Sequence, residues 1–282
     1  MDKQMTSKPN PSTSLPTEPA QMQVVAAQED PAEALDPLAE HTLNPDVRPQ
    51  EQNIDNEEGA FGTTPPVPRP FGSTFTPDIL AAYHAGVMKY QYRGVTCLKS
   101  PIDLAVYMLI LFEKKPGTIV EIGSFHGGAA MFYRDITRAW GLDTQVITVD
   151  FRSNQYQDEQ VGTEGIEFVQ TDALKLDGSD LEERLKTAPR PWMVIEDSAH
   201  TFEVSYAVLE YFKSRMQTGE CLIVEDGIIE DQGANWRYDG GPNRAVHEFF
   251  LNNPDEYRLM DNYNDFFGYN LSFNPNGYLE KT

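Results

Sequence analysis

One stretch constrains this chain more than any other: Thr118-Ile-Val-Glu-Ile-Gly-Ser-Phe-His-Gly-Gly-Ala-Ala130. Thr118 to Ile122 is a short β-branched run, which predicts a buried strand. Glu121 and Gly123 close it, a tight turn containing Ser124 follows, and Gly127-Gly128 opens an alanine-rich helical segment. A strand running through a glycine turn into a helix is how open α/β sheets build ligand sites at their carboxyl edge. The spacing is Glu-x-Gly-x-x-x-Gly, not the Gly-x-Gly-x-x-Gly of dinucleotide sites. An acid just ahead of the first glycine disfavours a pyrophosphate and favours a ligand that carries positive charge. S-adenosylmethionine (SAM), with its sulfonium and α-amino group, is such a ligand. A plain strand–turn–helix junction and a different nucleotide site are the alternatives that this stretch alone leaves open.

The rest of the chain fits around that unit. Thr76-Pro77-Asp78 reads as a helix start with proline in the first turn, followed by Ile79, Tyr83, Val87 and Met88 at helical spacing. Ser100 caps a second helix with Pro101 at its first position and an apolar face of Leu104, Met108, Leu109 and Phe112. After a crossover helix over 129–140, strands are predicted at 145–150, 165–171, 191–197 and 219–225, with helices between them and another over 244–251. Two short strands near 257–260 and 267–273 would complete the edge, ahead of a turn-rich tail over 273–279. Strands alternating with helices predict a doubly wound, Rossmann-like, mostly parallel α/β sheet with an antiparallel C-terminal edge and two helices in front of it. Asp150 ends the second core strand, where an acid commonly accepts hydrogen bonds from ribose hydroxyls; Asp172 follows the third.

Composition divides the chain in two. Residues 1–75 hold twelve of the 20 prolines and twelve acids against four bases, without apolar periodicity. Such a segment buries too little surface to offset its ordering entropy, so 1–75 is expected to be a disordered tail and 76–282 the folded domain. The whole chain carries 44 acids and 22 bases, a net charge of −22. That field repels phosphate, which argues against nucleic acid and anionic membranes as partners. No apolar run approaches the length of a membrane span, and no signal-peptide pattern is present. Cys97 and Cys221 lack metal-ligand spacing and read as free thiols, consistent with a cytoplasmic location.

Three further acids fall at predicted strand ends: Asp197 after the fourth core strand, and Glu225 and Asp226 after the fifth. Parallel topology brings such ends together at the ligand crevice. Converging carboxylates repel one another unless a cation joins them, and oxygen donors suit Mg²⁺ better than zinc. Solvated strand-end acids are the plainer alternative. His200, three residues past Asp197, is placed to face the same cavity, and an imidazole has a pKa suited to a general base. A helix-capping or acid-paired histidine is the competing reading. His126, in the glycine turn, and His247, beside Glu248, read as solvated and structural.

These residues resemble the cephalosporin hydroxylase-like group of SAM-dependent O-methyltransferases, which includes rhamnosyl and macrolide-sugar O-methyltransferases. The resemblance covers about residues 80–281. It rests on Tyr92-Arg93-Gly94, Lys99-Ser100-Pro101-x-Asp103, Glu121-Ile-Gly-Ser-x-x-Gly-Gly128, Asp197-Ser-x-His200, Val224-Glu225-Asp226 and Phe273-Asn-Pro-Asn-Gly-Tyr-Leu279, all in the family's order. It implies a class I methyltransferase fold and a small-molecule or glycosylated acceptor. It implies Mg²⁺ on Asp197, Glu225 and Asp226, and His200 as base. Glu121, Gly123, Ser124, Gly127, Gly128 and Asp150 would form the SAM pocket, with Asp172 near the adenine. A homo-oligomer is implied as well. The competing functions are participation in hydroxylation of a natural-product core and a non-catalytic scaffold on a SAM-binding fold.

Overall fold

The computed structural model describes residues 69–153, 155–162 and 164–282. Helix α1 (Pro77–Val87) leads through a short hairpin, β1 (Gln91–Tyr92) and β2 (Val95–Thr96), to α2 (Pro101–Lys114). The core then alternates: β3 (Thr118–Ile122), α3 (Gly128–Ala139), β4 (Gln145–Asp150), α4 (Asp158–Val161), β5 (Ile166–Gln170), α5 (Asp180–Leu185), β6 (Trp192–Glu196), α6 (Phe202–Lys213) and β7 (Cys221–Val224). It closes with α7 (Gly241–Asn252), β8 (Tyr257–Leu259), α8 (Asp261–Asn264) and β9 (Tyr278–Lys281).

Seven strands form one sheet in the order β5-β4-β3-β6-β7-β9-β8. The first five are parallel, and β9 runs antiparallel to both β7 and β8. The predicted doubly wound sheet with an antiparallel C-terminal edge is therefore what the chain forms. From β3 the chain runs outward in one direction through β4 and β5, then returns to the other side of β3 with β6. The switch point between β3 and β6 is where an open α/β sheet presents its ligand crevice.

Because β3 is central, all five of its residues are buried, and they divide between two cores by strand alternation. Val120 and Ile122 join Val194, Leu222, Val208, Phe212 and Phe249 on the face covered by α6 and α7. Ile119 joins Tyr107, Ile110, Ala130, Met131 and Ile195 on the face covered by α2 and α3. Each fully buried aliphatic side chain here is worth roughly 1.5–3 kcal/mol. Both cysteines are free and buried, and burial pushes each thiol up to about 12.

Helix α2 starts as its sequence predicts. Ser100 takes the Asp103 amide at 3.3 Å, Pro101 occupies the first turn, and Lys115 ends the helix with φ 46°. Asp103 itself is buried, and its carboxylate accepts from the Tyr278 hydroxyl at 2.8 Å, the Phe273 amide at 2.9 Å and the Ser272 hydroxyl. One carboxylate thus fastens the end of the chain to the second helix.

Two expectations are corrected here. The last strand is Tyr278–Lys281, not 267–273. Gly268 and Asn270 have positive φ, which breaks an extended run, and Asn270 is fully buried and spends its side chain on distant backbone. Order also begins before Thr76. Arg69 pairs with Asp261 and Asp265, Asn276 donates to the Pro70 carbonyl at 2.9 Å, and Tyr269 donates to the same carbonyl at 2.7 Å. Residues 69–75 thus form a strap across the C-terminal loop. The rest of the expected tail, 1–68, lies outside the described residues.

Replacing Asp103 by alanine leaves three donors facing a void, at about 1 kcal/mol or more apiece. Urea denaturation of Asp103→Ala should show a loss of about 3 kcal/mol, and a loss below about 1 kcal/mol would remove this carboxylate as the anchor.

Candidate active site

The switch point brings the glycine turn and the acid cluster into contact. Gly123 follows β3 with φ 115°, and a side chain there would put its Cβ 1.9 Å from the Asp197 carbonyl oxygen. The Asp197 amide in turn donates to the Ile122 carbonyl at 2.8 Å. Only glycine lets the two strand ends approach this closely. Gly128 serves a second approach, because a Cβ at that position would lie 2.3 Å from the Thr96 carbonyl of the hairpin. Gly127, with φ 86°, caps the N-terminus of α3.

Below the turn lies Glu121, fully buried at the centre of the sheet. The Thr148 hydroxyl is 2.6 Å from Glu121 Oε2 and 2.7 Å from Ser124 Oγ, so it ties the strand to the turn. Glu121 Oε1 is buried and has no hydrogen-bond partner among the described residues. Burial raises this carboxyl to about 7, with the Lys99 charge acting against the rise. A buried carboxyl oxygen left open beside a glycine turn is a receptor for a donor or a cation.

Asp150 has a different part. Its Oδ2 accepts from the Phe125 amide at 3.0 Å and its Oδ1 from the Arg152 amide at 2.9 Å, so it shapes the turn on the β4 side. Asp172 follows the outer strand β5. Its carboxylate takes the Leu174 amide at 3.0 Å and pairs with Lys175, which together hold it below the usual carboxylate range. The structure therefore groups Glu121, Gly123, Ser124, Gly127, Gly128 and Asp150 around one turn, and Asp172 follows the neighbouring strand, one residue past Thr171, whose amide donates to the Asp150 carbonyl at 3.0 Å. His126 lies in that turn against Phe125, with Nδ1 buried and burial lowering its pKa.

Across the switch point, Asp197, His200 and Asp226 each offer one donor atom, and the three atoms lie within 4.8 Å of one another. His200 Nε2 is 3.3 Å from Asp226 Oδ2, and both residues hold left-handed backbone, φ 55° and 59°. Such conformations cost of order 1–3 kcal/mol and concentrate at functional sites. Burial works against a charged imidazole at His200, but Asp226, Asp197 and Glu196 outweigh it and raise the pKa above the ordinary 6.5. His200 Nδ1 is buried without a hydrogen-bond partner among the described residues.

Glu225 is not in that group of three. Its Oε1 accepts from Lys99 Nζ at 2.5 Å and from the Tyr107 hydroxyl. Lys99 Nζ also reaches Asp197 Oδ2, so Glu225 joins the cluster through an ammonium group held in common. Lys99 is only 3% exposed, and although burial disfavours its charge, Asp197 and Glu225 hold its pKa well above the usual value. The sequence gives Lys99 no role beyond membership of a motif. Its partners are 98 and 126 residues away, and the one local signal is a lone lysine directly before a helix cap.

Glu121, Glu196, Asp197, Glu225 and Asp226 thus face one lysine and one histidine at a single rim. Carboxylates this buried call for further cations. The carboxylate oxygens of Asp197 and Asp226 fit a divalent ion with the His200 imidazole beside it, and the open Glu121 Oε1 fits a ligand bearing a donor or positive charge.

Comparison with known proteins gives the same direction. Residues 85–282 match the family model described as rhamnosyl O-methyltransferase/CmcI. The chain is 28% identical over 193 residues to a rhamnosyl O-methyltransferase of Mycobacterium tuberculosis, covering 68% of this chain and 78% of that protein. A Mycobacterium leprae protein of the same name is 28% identical over 189 residues, 67% and 81% of the two chains. Among solved structures, CmcI in its apo form and CmcI with Mg and SAM each align at TM-score 0.56 and 28% identity, covering 69% of this chain and 77% of theirs.

Glu121 keeps a proton in the folded chain up to about pH 7, but in the unfolded chain only up to about 4.3. Between those values the folded state binds more protons, so this group costs stability as pH rises. Glu121→Gln mimics the protonated form. In urea titrations it should gain up to about 3 kcal/mol over the unchanged chain at pH 8, a gain that shrinks towards pH 5. A gain independent of pH would contradict the assignment.

Proposed function

The chain belongs to the rhamnosyl O-methyltransferase/CmcI family, and on that premise we propose that it methylates a hydroxyl of a sugar or a glycosylated natural product at the cluster formed by Asp197, His200 and Asp226. It is a SAM-dependent O-methyltransferase, with SAM and Mg²⁺ as its cofactors. The names of its relatives, rhamnosyl O-methyltransferases, support a deoxysugar as the acceptor class. The observation that carries the reading is the contact between the Gly123 turn and Asp197, which sets a pocket suited to a cationic donor beside one suited to a divalent ion.

Asp197 and Asp226 would hold the ion, with Glu225 reaching the same cluster through Lys99. When bound, the ion supplies Lewis-acid polarisation of the acceptor hydroxyl and SAM supplies the methyl group. The protein's own part is to orient and to move a proton. Asp226 beside Nε2 favours the tautomer with its proton there, which leaves the Nδ1 lone pair of His200 free to accept. Glu121, Ser124 and the glycine turn would seat the donor, and Asp150 fixes the shape of that turn. The sulfonium would lie near the open Glu121 oxygen. Holding donor and acceptor in attacking geometry supplies a large share of the acceleration.

Two measurements test this, using radiolabelled SAM and a rhamnoside acceptor. His200→Ala should lower kcat by ~10²–10⁴-fold while SAM affinity measured by calorimetry stays within a few fold. A base must be neutral to accept, so the rate of the unchanged enzyme should climb with pH through the titration of His200. That climb should be missing in the variant, and near-normal turnover would reject the base. Separately, removal of divalent ions with EDTA should abolish turnover and Mg²⁺ should restore it. Full activity in EDTA would reject the metal.

A further inference from the structure

Lys99 is a buried charge that the reaction scheme gives no step of its own. It stands directly before the helix cap Ser100, and its main chain is fixed there. Its amide donates to the Cys97 carbonyl at 2.8 Å, while Ser100 Oγ binds the Asp103 amide and lies 3.2 Å from the Tyr83 hydroxyl. From that mooring the side chain runs inward and ends between Asp197 and Glu225, the ammonium touching both carboxylates. Tyr107, from the next turns of α2, donates to the same Glu225 oxygen. Asp197 therefore has two allegiances. Its carboxylate belongs to the three-residue donor group with His200 and Asp226, and it also belongs to Lys99.

We propose that Lys99 is a built-in counter-cation of the metal site, a positioning residue that holds the acids together in the metal-free enzyme and competes with the divalent ion for Asp197 and Glu225. This rests on the metal reading given above. The argument is electrostatic. Without a cation, Asp197, Glu225 and Asp226 would repel one another within a few ångströms, in a place where two of the three are at most 19% exposed. The ammonium removes that repulsion before any ion arrives. An incoming ion then meets a fixed positive charge across Asp197 and must share or take lone pairs that Lys99 already holds. Lysine thereby keeps the site assembled and the ion exchangeable, at the expense of affinity.

The test uses the full chain with Mg²⁺ alone as the probe, without SAM or acceptor. Calorimetric titration and the Mg²⁺-dependent rise in Tm would be compared for the unchanged chain, Lys99→Met and Lys99→Arg. Lys99→Met should melt lower in EDTA, bind Mg²⁺ at least about tenfold more tightly, and show a larger rise in Tm on adding it. Lys99→Arg keeps the charge and should bind within about threefold of the unchanged chain. If Lys99→Met is unfolded in EDTA but folds in Mg²⁺, the ion has replaced the ammonium and the proposal holds. Unchanged or weaker Mg²⁺ binding by Lys99→Met overturns it, as does failure to fold even in saturating Mg²⁺. If the unchanged chain takes up no Mg²⁺, it is the metal reading itself that fails.

Discussion

Negative charge gathered in a buried place is the constraint on which this molecule turns. Five carboxyl groups, those of Glu121, Glu196, Asp197, Glu225 and Asp226, stand at the carboxyl ends of adjacent parallel strands, and three of them are almost wholly out of solvent. Left alone, such a group of anions would protonate or push its strands apart. What prevents this is a set of specific partners: Lys99 between two of them, Thr148 on Glu121, Ser198 and Ser205 on Glu196, and His200 on Asp226. On the proposed reading, the charge still left over is what a divalent ion and a sulfonium would answer at this rim.

Sheet topology makes that gathering possible. A parallel sheet that reverses its winding at β3 places the ends of β3 and β6 side by side, with helices diverging above them. The two halves of the site come from these two ends. In the proposed site the donor would lie at the turn after β3, and the metal at the residues that follow β6 and β7. Gly123 is where they meet, and its missing side chain lets the Asp197 carbonyl come within a distance that any other residue would forbid.

Most of this was legible in the sequence where local chemistry decides. The β-branched run, the glycine turn, the Ser100-Pro101 cap and the strand-end acids each carry their own signal, and each falls where that signal puts it. Local signals run out where long-range partners decide. The edge strand at Tyr278–Lys281 follows a segment of turn residues, and nothing local says that Tyr278 and Leu279 pair with Ile223 and Leu222. Glu225 looked equivalent to Asp226, yet Lys99 and Tyr107 give it a separate environment. For Asp172, expected near the adenine, the sequence shows neither that its strand is the outermost of the sheet nor that its carboxylate pairs with Lys175.

The strap over residues 69–75 bears on how the C-terminal loop is held. Its hydrogen bonds go to Asn270, Asn276 and Tyr269, close to 200 residues further along, in the same loop that Asp103 clamps from the other side. Residues 69–75 and the C-terminal loop are thereby sewn into one seam, and the residues of that seam sit a few positions from the loop that carries Asp226. Shortening the protein to the first helix would open this seam from one side. Residues 69–75 and the loop ahead of β9 therefore hold each other in place, and a change on either side is felt beside Asp226.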